Sequence, residues 1–486
     1  MSGGTAIPPL LKAIRGYQMG LENFAPAAPP SPQILDFLAR LKAKTLPLGP
    51  YAPSGGACLA RKERAEYPPR KVDDANGIAA QVFDAYAAYH RGCISNMKNV
   101  TEAWRGEEPP EGCQFVVWSG RAGLGNKMLN LASTFMYAVL AQRVLLVNPG
   151  VEAALGQLFC EPFPGSSWLL PEEFPVLKMF DNLPWPMSDV GALTACEEEM
   201  KELETRTWFI FPHDTWNNYW LPGLYVHPTK RLLLKELFPD NQVFHRLSRY
   251  LYLPQDRIWT RVTSFYNQHM AGATKSVGLQ IRQKGDGKEL YYQRTSDNAL
   301  TCMAEHELIP RLVDTLPTQE GVEISEASSK DAFDVLFVAS MIPQYEEHLR
   351  EVFSKNKTVA GRRVKVLSAT HEQEEKWSDL SHYDSAVVDV WLLSFTDRQI
   401  ITQTSTFGYV ASSIAGTNPY YANYYSCERA KNHDPCWHSA PQYLVCPKMP
   451  NVGGPIHMAS PEMERCSDFF GGVTLVDAKS SYLEAS

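Results

Sequence analysis

Three stretches of this chain carry residue types and spacings suited to holding a phosphate anion. Gly120, Gly123 and Gly125 punctuate a loop that runs through Asn126 and Lys127 into an apolar, helix-spaced segment. Such a loop gathers bare backbone N–H groups and the positive end of a helix dipole, which favours negative charge. Arg282 follows Val277, Gly278, Leu279, Gln280 and Ile281 and stands where a buried strand runs out. A guanidinium there can make two charge-assisted bonds to phosphate oxygens, or a surface salt bridge. The third stretch, residues 397–411, ends a strand in Thr404, Ser405 and Thr406 and opens a small-residue helix with Phe407 and Gly408. Ser405 and Thr406 suit either plain helix capping or donation of hydroxyl and N–H groups to an anion. Arg282 and this helix start, at neighbouring strand ends, would together make a pyrophosphate site.

The glycine loop approaches two nucleotide-binding patterns and satisfies neither. Gly120 and Gly125 have Walker A spacing, but Asn126 precedes Lys127 and Met128 stands in place of the magnesium-binding hydroxyl. A G-x-G-x-x-G reading fails at the same Met128. Either the loop binds a ligand, or its glycines only let strand and helix pack closely. A P-loop hydrolase would also need an Asp-ended Walker B strand, and none is visible. No acidic metal-ligand pattern accompanies the three stretches, so neither a metal nor another cofactor is expected.

The elements that must position these residues read as alternating strands and helices. The glycine loop lies between β-rich runs at 114–118 and 144–147, with a third at 208–211. A second series has strands at 276–281, 335–339, 364–368 and 399–403, with helical patterns at 300–316, 344–355 and 384–393. Alternation of this kind predicts an α/β fold with mostly parallel sheets, whose ligands lie beyond the C-terminal strand ends. Two αβ domains facing a cleft are the expected shape for 486 residues. The boundaries expected are a flexible arm over 1–57, an N-terminal αβ domain with a helical lead-in over 58–272, a Rossmann-like domain over 273–425 and a cysteine-bearing segment over 426–486. Helical patterns at 34–44 and 74–92 lie in the arm and the lead-in.

Composition narrows the function classes. A hydrophobic fraction of 44% with 21% charged residues is that of a globular protein. A net charge of −8 leaves no broad basic footprint for nucleic acid. Eleven Trp, 22 Tyr and 21 Phe supply core rings, and sugar C–H faces stack on such rings where they are exposed. Ten cysteines contain no C-x-x-C pair, against a zinc ribbon or thioredoxin-like site. Cys427, Cys436 and Cys446 sit in a Pro-, His- and Asn-rich segment with little core, where disulfides would hold the chain. Sequons at Asn99 and Asn356 also suit a secretory lumen. No signal peptide or membrane-spanning run is visible, so a lumenal protein would have its targeting segment outside this chain.

In register, these blocks resemble the plant xyloglucan-type fucosyltransferases, inverting enzymes that use GDP-fucose. Gly123, Leu124, Gly125, Asn126 and Lys127 match the family's Gly-Leu-Gly-Asn-Arg loop, and Arg143 to Val147 follow it. Leu158, Phe159, Cys160, Glu161 and Pro162 with Ser167, Trp168 and Leu169 match a further block, as do Leu237, Phe238 and Pro239. Ser405, Thr406, Phe407, Gly408, Tyr409, Val410 and Ala411 match the most diagnostic one, and Pro435, Cys436, His438 and Ser439 the C-terminal one. The likeness spans roughly residues 58–450.

The resemblance implies a GT-B-like pair of αβ domains with GDP-fucose held mainly by the C-terminal one. The residues expected at the nucleotide are Gly123, Gly125, Asn126, Lys127, Gln280, Arg282, Ser405, Thr406, Phe407 and Gly408. It implies metal-free transfer of fucose, with inversion and typically α1,2-linked, onto a galactose of a cell-wall polysaccharide or arabinogalactan proteoglycan. It also implies a Golgi-lumenal enzyme anchored by an N-terminal helix absent from this chain, and leaves room for a homodimer. Two departures stand out. Lys127 replaces the family's Arg and loses its planar fork. Asn217 stands where the family often has Asp, and nearby Asp214, after His213, could take an acceptor-side role or form a plain turn. Catalytic candidates are therefore Arg282, Asn217 and Asp214. The same departures suggest an alternative, a glycan- or nucleotide-binding member that has lost catalysis. Acceptor specificity is expected in loops 285–294 and 422–438.

Overall fold

The computed structural model describes residues 29–51, 56–68, 77–105, 109–120, 122–148, 155–171, 174, 196–197, 201, 205–212, 218–282, 289–312, 332–356, 358–370, 376, 379–422, 426–446 and 453–476. Helix α1 (Pro32–Ala43) buries Ile34, Phe37, Leu38 and Leu41, one face at helical spacing, against α2 (Ile78–Ser95). Ser31 caps α1, and its backbone N–H donates to Glu236 at 2.9 Å. The expected flexible arm is therefore docked over its described part, because its apolar stripe has a surface to cover.

The glycine loop does join a strand to a helix. Strand β1 (Phe115–Ser119) is wholly buried, α3 (Leu124–Leu140) follows, and β2 (Val144–Val147) returns parallel to β1 with Phe115 opposite Val144. Strand β3 (Trp208–Pro212) pairs with the other edge of β1, giving the order β2-β1-β3. Helices α4 (Pro228–Leu237), α5 (Val243–Leu251) and α6 (Asp256–Phe265) lead to the second sheet.

That sheet is built from β4 (Ser276–Ile281), α7 (Glu289–Glu305), β5 (Phe333–Ser340), α8 (Pro343–Lys355), β6 (Arg363–Leu367), α9 (Leu380–Ser394), β7 (Arg398–Thr402), α10 (Thr406–Ala415), β8 (Tyr420–Ala422) and β9 (Cys427–Arg429). Its order is β6-β5-β4-β7-β8-β9, parallel except for β9. Strands β2 and β4 fall where the sequence pattern puts them. Helix α7 does not: it ends at Glu305 rather than running through 300–316. Glu307 takes a left-handed φ of 52° and Pro310 follows, and neither continues a helix.

One buried cluster runs from Ile34 through α3, α5, α9 and α10 to Leu475, so the two sheets share a core through their helices. Helix α10 packs on α3, α5 and α9. Two parallel αβ layers joined in this way are the GT-B-like architecture that the resemblance implied. The C-terminal segment adds two small hairpins, β10 (Tyr443–Val445) with β11 (Gly453–Pro455) and β12 (Met463–Arg465) with β13 (Val473–Leu475). All ten cysteines pair: Cys58–Cys160, Cys93–Cys113, Cys196–Cys446, Cys302–Cys427 and Cys436–Cys466. Three of these bonds hold the C-terminal segment, which has little core of its own. No described helix is long and apolar enough to cross a membrane.

Candidate functional site

Two helix N-termini, one from each sheet, converge at the glycine loop. A Cβ placed on Gly125 would lie 2.7 Å from the carbonyl carbon of Thr406 and 2.8 Å from the amide nitrogen of Phe407. The first turns of α3 and α10 therefore touch backbone to backbone, and only glycine fits at 125. Helix α3 has Gly123 as its N-cap and so no capping side chain. Helix α10 has Ser405 as its N-cap, but contrary to the capping reading its side chain makes no cap bond. The first bonds inside the helices are Lys127 N–H to Gly123 C=O and Tyr409 N–H to Ser405 C=O. The amides of Leu124, Gly125 and Asn126, and of Thr406, Phe407 and Gly408, have no partner within their helices. Two positive dipole ends add to these donors.

Backbone strain marks both starts. Ala122, two residues before α3, has φ 140°, and Thr404, two before α10, has φ 59°. Such angles are rare outside glycine, most of all for a β-branched residue, and they cluster where geometry serves function.

The other expected residues fall into three groups. Gln280 is buried, and its Oε1 accepts the Thr402 N–H at 3.3 Å, so it ties β4 to β7. Gly408 leaves room for it: a Cβ there would meet Ile401 Cβ at 2.7 Å and Gln280 Oε1 at 2.8 Å. Arg282 stands at the end of β4 beside the end of β7, its N–H donating to Thr402 Oγ1 at 2.9 Å. Its Nη1 lies 3.7 Å from Met341 Sδ, past the end of β5. Asn126, Thr406 and Phe407 are half-buried at the convergence, whereas Lys127 is only 1% exposed and turns its Nζ over the Tyr383 ring, 5.3 Å from the centroid. Asp214 and Asn217, with His213, lie outside the described residues, as do 285–288 and 423–425 of the two expected acceptor loops.

A polar cluster that the sequence patterns did not single out stands beside α10. The Tyr409 hydroxyl donates to Asp468 Oδ2 and lies 3.1 Å from His438 Nε2. Asp468 Oδ2 also accepts the Thr404 N–H at 2.9 Å. The His438 N–H donates to Asn218 Oδ1 at 3.3 Å, linking the cluster to the first αβ layer. Burial, and next the negative charge of Asp468, push the Tyr409 hydroxyl well above its ordinary range, so it stays protonated and donates. Tyr409 and His438 lie inside recognisable blocks. Asp468 lies beyond them, and its only sequence signal is its place two residues after Cys466.

Comparison with known proteins gives the chain's relatives. A family model described as xyloglucan fucosyltransferase matches residues 52–189 and 183–446. Probable fucosyltransferase 4 of Arabidopsis thaliana is 30% identical over 435 residues, covering 80% of this chain and 79% of that one. Galactoside 2-alpha-L-fucosyltransferase of Pisum sativum is 29% identical over 465 residues, covering 87% and 80%. A solved structure of a variant of Arabidopsis thaliana FUT1 in complex with GDP superposes with a TM-score of 0.72 at 28% identity, covering 90% of this chain and 100% of that one.

Proposed function

The chain belongs to the xyloglucan fucosyltransferase family, and we propose that it moves fucose from GDP-fucose, with inversion, onto a galactose of a cell-wall polysaccharide or arabinogalactan, forming an α1,2 linkage. The observation that carries this reading is the meeting of two helix starts at Gly125 and Thr406, beside the strand end that bears Arg282. The relative named galactoside 2-alpha-L-fucosyltransferase supports the linkage, and the GDP bound in the solved relative supports the donor.

In this reaction the bond between fucose C1 and the β-phosphate oxygen loosens first. Positive charge spreads over the sugar ring and negative charge grows on the leaving diphosphate. The two sets of amides, the dipole ends and Arg282 stabilise that growing charge, a preorganised electrostatic contribution. The acceptor hydroxyl attacks from the opposite face and forms the new C1–O bond, its proton passing to water, while GDP leaves with the electron pair of the broken bond. Holding that hydroxyl in line supplies much of the remaining acceleration. The protein's own donors neutralise the diphosphate, so the proposed reaction needs no metal. Five disulfides suit an oxidising compartment, and the Golgi lumen is the proposed location.

The test is incubation with GDP-fucose and galactose-bearing xyloglucan or arabinogalactan oligosaccharides, with linkage analysis of the product. A 2-linked fucosyl galactose is expected. Binding of GDP without transfer across that panel would replace this reading with a catalytically silent nucleotide-binding member.

A further inference from the structure

We infer that Asp468, carried on the disulfide-bonded C-terminal segment, is a positioning residue that holds the start of α10 in its anion-receiving shape. The inference rests on the reading of that helix start as part of the nucleotide site. Thr404 is the pivot. It is β-branched, it is exposed, and it has a φ of 59°, a conformation its own side chain disfavours. Something outside the turn must hold it there. Asp468 Oδ2 takes the Thr404 N–H at 2.9 Å and the Tyr409 hydroxyl as well. Thr404 lies before the helix and Tyr409 one turn into it, so a single carboxylate oxygen brackets the segment whose first amides have no partner within the helix.

The carboxylate is itself fixed. Cys466, two residues before it, is bonded to Cys436, and His438, two residues after Cys436, reaches the same tyrosine hydroxyl at 3.1 Å. The position is also electrostatically unfavourable for general anion binding, because Asp468 brings negative charge close to the site. Its value there is directional: both of its donors are bound in one geometry, and both belong to the α10 start. Loss of the carboxylate should therefore release the strained turn and weaken nucleotide binding without removing any group that touches the nucleotide.

The test measures GDP affinity by calorimetry on the full chain, with the thermal unfolding midpoint recorded beside it. Asp468→Ala should weaken GDP binding about tenfold, the scale of a lost charged hydrogen bond, with little change in midpoint. Adding Thr404→Gly, which adopts a left-handed φ at no steric cost, should recover most of that loss. A role limited to packing the C-terminal segment predicts no recovery. Asp468→Ala binding as the parent does, or a double variant no better than Asp468→Ala, would overturn the inference. Should Asp468→Ala fail to fold, Asp468→Asn takes its place with the same rescue required. A parent chain that binds no GDP would overturn the nucleotide reading itself, and this inference with it.

Discussion

Gly125 and Thr406 belong to helices that follow strands of different sheets and meet with no side chain between them, a Cβ at 125 falling 2.7 Å from the Thr406 carbonyl carbon. Both partners are backbone in the first turn of a helix, so neither can move aside cheaply. This contact sets how closely two helix dipoles and their amides approach each other, and so the shape of the proposed nucleotide site.

Gly125→Ala should force the two starts apart. We expect a stability loss of about 1–3 kcal/mol and a fall in transfer of about a hundredfold, the scale of a 1 Å misplacement. Gly123→Ala is the contrast. Among the described residues, no atom beyond its chain neighbours and its own helix backbone lies within 4 Å of a Cβ there, and its φ of −60° suits any residue. Its stability should fall by less than about 1 kcal/mol, the scale of alanine replacing glycine at an N-cap. Thermal unfolding and initial-rate assays on both variants check the pair, and equal stability losses would contradict the close-approach argument.

Arg282→Ala should lower both GDP affinity and turnover, by about tenfold or more, since it removes a charged donor from the proposed diphosphate site. Arg282→Lys should fall between, because it keeps the charge and loses the fork. Calorimetry with GDP and steady-state rates measure the two effects. A variant that transfers normally would remove Arg282 from the site.

Asp434 makes stability depend on pH. Burial, against the opposing bond from the Phe244 N–H at 3.0 Å, pushes its carboxyl from 3.8 up to about 7. Between those values the folded chain holds a proton that the unfolded chain has released. Stability from this group is therefore full below the lower value and is lost as pH rises through the upper one. At most about 4 kcal/mol is involved. Unfolding midpoints at pH 5 and pH 8 should differ less in Asp434→Asn than in the parent, and equal slopes would count against the assignment.

Among the disulfides, Cys302–Cys427 ties α7 to the antiparallel edge strand β9 across 125 residues, and Cys93–Cys113 closes only 20. On chain entropy, replacing the first pair by alanines should cost about 5 kcal/mol and the second about 3 kcal/mol. Denaturant titrations of the two double variants give the ranking, and a larger loss from the short loop would show that native packing outweighs loop closure.

Much of the second sheet was legible because its strands are buried on both faces and read as near-continuous apolar runs, as at 276–281. The bounds of α7 were not, because a left-handed Glu307 leaves no mark on the apolar spacing that suggested a helix over 300–316. At the proposed site, residue type and spacing singled out the glycine loop, Arg282 and the α10 start, and the structure brings the loop and that helix start into contact. Lys127 looked like a loop cation at a ligand, yet helical phase turns it inward over Tyr383. Gln280 and Gly408 looked like ligand contacts, and their nearest described partners are each other and the β7 strand.

Local sequence determined the strand–loop–helix units, the family and the places where amides would stand unpaired at helix starts, since each depends on residues close together in the chain. Only the tertiary structure decided that the α3 and α10 starts meet, that the missing Cβ of Gly125 permits it, and that Asp468 braces Thr404. Those relations join residues 64 to 281 positions apart, and contacts at such separations are set by how the sheets pack.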